Sequence, residues 1–372
     1  MSARVVNLRR QWIPVEGGSC DVRMGYDALD QSSKVFRDSV GTVRTCVVLS
    51  RETLGAEVEE LVRRQLVDAG FCVCWHKLDA GALRTIDEAH AVFEVFAWEG
   101  LNGEDLCCAI GDADLLSLVS YACGYWGGGV TLIAVPIGEM AFFEGALVPR
   151  ALDVGERAEM VRVSSCARRV LLDYSLFLTE YESEDNAYAR CLMVGSAIAG
   201  SERDFSELWD HAEAIACGDE EVTINQLLAT GKARGQAISS TAAAVRQSVD
   251  YGRTFARALA DVLPGQFRPS CLLSESMRFA ARLSVGLDKL SIDDMLAQDE
   301  LFETLGLDTV PCCKVDPSRL VAAIREELSM RTNRMMLLVP FAIGRVRLAT
   351  IPDDLLYEHV SAWCDAHMPY AE

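Results

Sequence analysis

The sequence predicts a doubly wound α/β domain followed by an all-helical domain. Strand-like and helix-like segments alternate in the first half, which is typical of a parallel sheet covered by helices on both faces. Helical spacing dominates the second half. A chain of 372 residues also exceeds what one hydrophobic core usually holds, so we expect two domains, over residues 1–180 and 181–372.

The first domain is organised around a long apolar stretch, Asp105–Pro136. Leu106–Ile110 shows no polar alternation, which predicts a strand buried on both faces. Leu115–Trp126 has apolar residues in nearly every direction and predicts a buried helix. Gly127-Gly128-Gly129 tolerates the left-handed backbone at a helix end, and the β-branched segment Val130–Val135 predicts the next strand.

A transmembrane span is the competing interpretation of this stretch. Leu115–Gly138 carries no formal charge and is long enough for the roughly 20 residues that cross a bilayer. Three consecutive glycines and a change from helix-like to strand-like residues argue against it, because a broken backbone cannot satisfy its own hydrogen bonds in hydrocarbon. We therefore expect no membrane partner.

Two strand–helix pairs are predicted before this stretch. Thr45–Leu49 and Phe71–Trp75 predict strands, while residues 54–69 and Thr85–Trp98 predict amphipathic helices. Residues 1–42 are expected to be irregular. The alternation indicates a Rossmann-like domain, in which ligands bind at the carboxyl ends of the strands.

The remaining segments are mostly helical. After Pro136 we expect a loop and a helix, and then two paired strands, Met160–Val163 and Arg169–Leu172. Helical spacing covers Asp204–Cys217, Thr223–Val249, Tyr251–Val262, Leu272–Val285, Ile292–Leu305 and Pro317–Met330. A late strand pair and a closing helix are predicted over Met335–Val339, Val346–Leu348 and Pro352–His367.

Charge and cysteine usage restrict the partners and the compartment. A net charge of −20 repels nucleic acid and anionic lipid, so we expect neither as a partner. The fourteen cysteines lack the paired CxxC spacing of a zinc site. Met1–Gly18 has no apolar core of a secretory signal, so the sequence predicts reduced thiols in the cytoplasm.

This framework resembles 3-dehydroquinate synthase of the shikimate pathway, in which a strand leads into a Gly-Gly-Gly loop, a helix follows, and the next strand ends in Pro-Thr-Thr. The resemblance runs without a gap from Asp79 to Pro136 and resumes near Arg169. It implies a dehydroquinate synthase-like fold and a homodimer. It also implies the family's reaction, a zinc- and NAD-dependent ring closure of a seven-carbon sugar phosphate that eliminates phosphate.

The resemblance implies NAD as a cofactor, but the loop that would receive it is degenerate. The three glycine positions fall on Gly111, Asp112 and Ala113. Asp112 puts a carboxylate where two phosphates would lie, and Ala113 adds a Cβ where close approach is needed. The family's Glu-x-x-Lys falls on Gly81 and Arg84.

The resemblance places the family's zinc ligands, one glutamate and two histidines, on Cys191, Arg253 and Pro269. Arginine and proline side chains do not coordinate zinc, and one cysteine cannot hold it alone. The neighbouring catalytic lysine falls on Val194. The sequence therefore predicts no zinc site.

Several basic positions are kept. Lys232 and Arg246 match the family's lysine and arginine that hold the substrate carboxylate, and Arg150 lies where a lysine lines the pocket. Arg253 and Arg257 are one helical turn apart. These residues either form an anion-binding wall for a small sugar phosphate or carboxylate at the cleft between the domains, or belong to an exposed polar face.

Three functions stay open at this point. The first is a divergent, non-catalytic homologue, which we favour because a fold survives losses that its chemistry does not. The second is an active 3-dehydroquinate synthase or related sugar phosphate cyclase with a rebuilt site, which would be a carbon–oxygen lyase. The third is a regulatory or scaffolding partner of a true synthase.

Overall fold

The computed structural model describes residues 8–79, 81, 83–177 and 183–368. Contacts divide the chain into two compact units, Met1–Tyr181 and Glu182–Glu372, here called the α/β unit and the helical unit. The expected domain boundary at residue 180 lies outside the described residues.

The α/β unit contains a seven-stranded sheet with helices along the chain between most of its strands. Its strands are β1 Arg9–Val15, β2 Gly18–Gly25, β3 Thr45–Arg51, β4 Cys72–Leu78, β5 Leu106–Gly111, β6 Thr131–Pro136, β7 Leu152–Val154, β8 Arg157–Val161 and β9 Arg169–Asp173. Its α-helices are α1 Ser33–Arg37, α2 Ala56–Asp68, α3 Ile86–Trp98, α4 Ala113–Tyr125 and α5 Glu139–Ala141, the last continued by a π-helical turn, Phe142–Leu147.

The order of the sheet is β1-β2-β9-β6-β5-β3-β4, and every pair except β1–β2 is parallel. After β3 the chain forms β4, which lies next to β3 at the edge of the sheet. It then crosses back to form β5 on the opposite side of β3, and β6 is added beyond β5. The direction of winding therefore reverses between β3 and β5. In doubly wound sheets, ligands bind in the crevice that this reversal opens at the carboxyl ends of the two strands.

The organising stretch folds as its residue types predict. All six residues of β5 are buried, as expected for a central parallel strand. Helix α4 buries most of its residues and ends before Gly127, Gly128 and Gly129, whose φ angles of 56°, 85° and 116° lie in the left-handed region that glycine tolerates. The predicted strand–helix–strand unit and the doubly wound fold class are confirmed.

The prediction of an irregular N-terminal region is wrong. Strands β1 and β2 form an antiparallel hairpin in which Val15 pairs with Gly18, so two residues close the turn, with Gly17 at φ 79°. The apolar side chains of Ile13 and Val15 alternate with more exposed residues, which is the pattern of a strand with one buried face. The hairpin extends the sheet because β2 pairs with β9.

The predicted pairing of the two strands after residue 160 is also wrong. Strand β8 pairs with β7 in a small separate hairpin, whereas β9 lies inside the large sheet between β2 and β6. The apolar run Val170–Leu172 is completely buried there. A run of that kind suits an interior parallel strand, which recruits partners far away in sequence.

The helical unit contains nine α-helices and one strand pair in its described part. The helices are α6 Glu184–Gly200, α7 Glu202–Ala216, α8 Glu220–Ser239, α9 Ala243–Gln247, α10 Arg253–Val262, α11 Pro269–Gly286, α12 Ile292–Thr304, α13 Pro317–Ser329 and α14 Asp353–Ala366. The strands β10 Met336–Ala342 and β11 Arg345–Thr350 form the predicted late pair, which is antiparallel. The single helix predicted over Thr223–Val249 is wrong, because the chain leaves helical geometry at Ser240. No helix among the described residues is long and apolar enough to cross a bilayer.

Candidate functional site

An ion pair between Arg51 and Asp112 crosses the crevice between β3 and β5. Arg51 is the last residue of β3, and Asp112 directly follows β5. The Arg51 Nε lies 2.8 Å from Asp112 Oδ2, and the arginine side chain is only 11% exposed. Arg51 also donates to the backbone carbonyls of Asp79 at 3.0 Å and Gly81 at 2.9 Å, in the loop after β4. Three neighbouring strand ends are thus tied together where a ligand would enter.

The second carboxylate oxygen of Asp112, Oδ1, binds a backbone N–H group at the start of helix α4. Oδ1 accepts a hydrogen bond from the backbone N–H of Leu115 at 2.9 Å, which makes Asp112 the N-cap of this helix. In a dinucleotide-binding fold, the pyrophosphate lies against those N–H groups and the positive end of the helix dipole. The chain therefore supplies its own anion at this position, and the residues present do not fit NAD in the family manner.

Arg84 and Arg150, predicted respectively for the dinucleotide loop and the substrate pocket, lie in one cluster. Arg84 Nε is 2.9 Å from Asp114 Oδ1, and Arg150 Nη2 is 3.0 Å from Glu159 Oε1. Each arginine also approaches the other's carboxylate, at 3.6 Å for Arg84–Glu159 and 3.5 Å for Arg150–Asp114. Both guanidinium groups are therefore paired within the protein.

Further carboxylates surround this cluster. Glu144, which is fully buried, lies 3.7 Å from Arg150, and Asp153 lies 3.4 Å from Arg84. Burial lowers the pKa of the Arg84 guanidinium and the neighbouring Arg150 lowers it further, although Asp114 and Asp153 act in the opposite direction. Four carboxylates face two guanidinium groups, so a sugar phosphate would meet more negative than positive charge here.

The structure brings two of the three family zinc positions together. Cys191 is buried in α6, and its Sγ donates to the carbonyl of Ser270 at 3.4 Å, next to Pro269 at the start of α11. Burial raises the pKa of the Cys191 thiol and keeps it protonated. The carboxylate of Glu184 accepts from the backbone N–H and the hydroxyl of Ser270, both at 2.7 Å. Hydrogen bonds from Cys191 and to the Glu184 carboxylate thus join α6 to the start of α11.

The third zinc position, Arg253, begins helix α10. Its Nε lies 3.4 Å from Asp250 Oδ1, and its side chain is 12% exposed. Arg257, one turn later, pairs with Glu327 at 2.9 Å. Within the described ranges, no group of three or more His, Cys, Asp or Glu side chains is arranged to hold a metal ion. These residues do not fit the family's zinc.

Lys232 and Arg246 have different surroundings. Lys232 is exposed on α8. Arg246 Nη1 donates to the carbonyls of Ser240 at 2.7 Å and Thr241 at 3.0 Å, just past the end of α8. The guanidinium thus satisfies carbonyl groups of the turn that follows the helix. The role of both residues in holding a small carboxylate stays a prediction.

The sequence analysis did not identify two residues that are central to the site, Arg51 and Glu184. Arg51 could have been found as a charged residue at the carboxyl end of a buried strand, which is where doubly wound sheets place functional groups. Glu184 shows no comparable signal, because its partner Ser270 is 86 residues away in sequence.

Comparisons with known proteins agree with the fold. No family model matches the sequence. The chain is 21% identical over 339 residues to 3-dehydroquinate synthase of Dehalococcoides mccartyi, covering 90% of this chain and 94% of that protein. It is 21% identical over 334 residues to 3-dehydroquinate synthase of Corynebacterium jeikeium, covering 88% and 89%.

Solved structures of sugar phosphate cyclases have the same fold. A 2-deoxy-scyllo-inosose synthase, complexed with carbaglucose-6-phosphate, NAD⁺ and Co²⁺, has a TM-score of 0.79 at 15% identity, covering 95% of this chain and 99% of that one. The 2-epi-5-epi-valiolone synthase from Streptomyces hygroscopicus, with NAD⁺ and Zn²⁺ bound, has a TM-score of 0.77 at 14% identity, covering 98% and 99%.

Proposed function

We propose that this chain, which has the dehydroquinate synthase-like fold of the sugar phosphate cyclases, is a divergent homologue that has lost zinc and the usual cyclase chemistry. The observation that carries the proposal is the set of side chains at the family's metal positions. A buried thiol, a guanidinium and a proline stand at Cys191, Arg253 and Pro269. Guanidinium and proline side chains do not coordinate zinc, and one cysteine cannot hold it alone.

The closed crevice supports the same proposal from the cofactor side. Hydride chemistry needs a dinucleotide held with its pyrophosphate at the start of α4. There the Asp112 carboxylate already accepts the Leu115 N–H and pairs with Arg51. Binding a pyrophosphate would require breaking both interactions and would place like charges together.

The cluster around Arg84 and Arg150 supports the loss of substrate chemistry. In a cyclase, basic side chains must be available to the phosphate that leaves. Here both guanidinium groups pair with Asp114 and Glu159. Lys232, exposed on α8, remains the candidate for a weaker contact with a small anion.

The decisive experiment measures phosphate release from the seven-carbon sugar phosphate substrate of 3-dehydroquinate synthase. Purified full-length protein is assayed with added NAD⁺ and Zn²⁺, beside an authentic synthase as the active control. We expect no release above background. The zinc content after dialysis against Zn²⁺ is also measured for the wild type and for Cys191→Ala. We expect no bound zinc in the wild type that the variant lacks.

The opposite results would each identify another function. Release that depends on both NAD⁺ and Zn²⁺ would mean an active cyclase with a rebuilt site, and Lys232→Ala and Arg246→Ala would then test the substrate contacts. Co-purification of an intact synthase with the inactive chain would instead favour a regulatory or scaffolding partner. A homodimer and a cytoplasmic location remain part of the proposal; all fourteen cysteines are free thiols, which suits a reducing compartment.

A further inference from the structure

A pair of thiols lies on the outer edge of the sheet, away from the crevice. Strand β4 lies at one edge of the sheet and, within the described part of the chain, pairs with β3 alone. Cys72 and Cys74 are two residues apart on β4, so their side chains leave the same face of the sheet. Cys72 is exposed and Cys74 is half-buried, so solvent reaches the pair. The opposite face of β4 packs on the core through Val73 and Trp75.

The pair has an acidic and an imidazole neighbour. Cys74 interacts with the Cys72 thiol and with the carboxylate of Glu99, the residue that ends α3. His76, two residues further along the same face, has its Nε2 2.7 Å from Glu99 Oε1. Burial and then the Glu99 carboxylate raise the pKa of Cys74 to about 12, so this thiol is protonated at neutral pH.

Strand geometry argues against a disulfide between these two cysteines. Residues i and i+2 of a strand lie about 6.6 Å apart with parallel Cα–Cβ directions. A disulfide requires Cβ atoms roughly 3.5–4.5 Å apart, so it could form only if the backbone of β4 moved. An ion placed between the two sulfurs lengthens the bridge by one atom and one bond, so the sulfurs can be bridged while the Cβ atoms stay farther apart than in a disulfide.

We propose that Cys72 and Cys74 form a two-coordinate site for a soft monovalent metal ion, Cu(I), on the edge of the sheet. Soft thiolate ligands select Cu(I). A site with two ligands also agrees with the described residues, which hold no cluster of three or more His, Cys, Asp or Glu arranged for a metal. This site is independent of the proposed loss of cyclase chemistry.

Binding exchanges two protons for the metal. One Cu(I) and two thiols give one dithiolate complex and two protons, without oxidation or reduction. The proton from Cys72 passes to solvent. The proton from Cys74 also passes to solvent. Binding is therefore expected to weaken as the pH falls.

The test is an anaerobic titration of the reduced full-length protein with Cu(I) against a chromogenic Cu(I) chelator. We expect one Cu(I) per chain. Cys72→Ser and Cys74→Ser should each weaken binding more than about 100-fold, the upper end of what losing an outer-shell partner costs a metal site. Cys217→Ser and Cys312→Ser, which change exposed cysteines elsewhere, should leave the affinity unchanged.

Copper retained by Cys72→Ser, copper lost from Cys312→Ser, or a wild type that yields all copper to the chelator would each overturn the proposal. Because Cys72 is exposed, its serine variant should fold, and circular dichroism checks this.

Discussion

Arg51 and Asp112 pair across the crevice of the sheet, with Arg51 Nε 2.8 Å from Asp112 Oδ2. Each residue stands at the carboxyl end of its strand, on either side of the point where the winding reverses. The same carboxylate caps α4 through the Leu115 N–H. One side chain therefore both stabilises a helix start and closes the place where this kind of fold binds dinucleotides.

The pair should contribute to stability beyond the cap alone. Asp112→Ala is expected to lower the free energy of unfolding by about 2 kcal/mol, because a cap and a half-buried charge pair are both lost. Asp316 is the N-cap of α13, and its carboxylate accepts from the backbone N–H groups of Ser318 and Arg319. Asp316→Ala removes this cap and should cost about 1 kcal/mol. Urea unfolding of Asp112→Ala, Arg51→Met and the double variant measures the coupling; strictly additive losses would contradict a direct interaction.

Removing the carboxylate should create an anion site. Asp112→Gly frees the N–H groups at the start of α4 and leaves Arg51 beside them, so inorganic pyrophosphate should stabilise this variant but not the wild type. At ten times the dissociation constant, the gain in unfolding free energy is about 1.4 kcal/mol. Thermal unfolding with and without pyrophosphate measures it. Asp316→Gly is the matched control, and an equal gain there would indicate a general helix-end effect.

The contact between α6 and α11 should depend on Glu184. Glu184→Ala leaves the buried Ser270 without an acceptor for its N–H and its hydroxyl, and should cost about 2–3 kcal/mol. Ser270→Ala removes only the hydroxyl and should cost about 1 kcal/mol. Chemical denaturation compares both with Glu202→Ala, an exposed residue in the first turn of α7 that should be neutral. Equal losses in all three variants would exclude this role for Glu184.

Asp105 should make the stability of the protein pH-dependent. Burial by itself raises the pKa of this carboxyl, but hydrogen bonds from Arg44, Asn102 and Thr45 outweigh burial and the net pKa is lowered. A lowered folded-state pKa stabilises the protein above the unfolded pKa of about 3.9, and this stabilisation is lost as pH falls through the folded pKa.

Asp105→Asn should therefore cost about 2 kcal/mol at neutral pH and progressively less in acid below about pH 4. Urea unfolding of the wild type and of Asp105→Asn, at neutral pH and below about pH 4, measures the difference in the free energy of unfolding. Glu104→Gln, which changes the exposed neighbouring residue, should leave the pH profile unchanged. A loss for Asp105→Asn that is equally large in acid would show that packing, rather than charge, accounts for it.

The sequence predicted the central elements because their information is local. Leu106–Gly111 is apolar at almost every position, and Gly127-Gly128-Gly129 can end a helix wherever the helix lies. The β1–β2 hairpin was within reach of the same reasoning, since Ile13 and Val15 are β-branched residues at alternate positions and a glycine turn follows. The position of β9 was not, because its partners β2 and β6 lie far away in sequence.

The features of the candidate site can also be separated into those that the sequence predicts and those that depend on tertiary contacts. Residue identity alone determined that Arg253 and Pro269 cannot ligate zinc, and that Asp112 adds negative charge to a phosphate-binding loop. Only the tertiary structure decided that Arg51 reaches Asp112 and that Arg84 and Arg150 share Asp114 and Glu159. The physical reason is range: backbone preference and ligand chemistry belong to single residues, whereas ion pairs depend on which strand ends the fold places side by side.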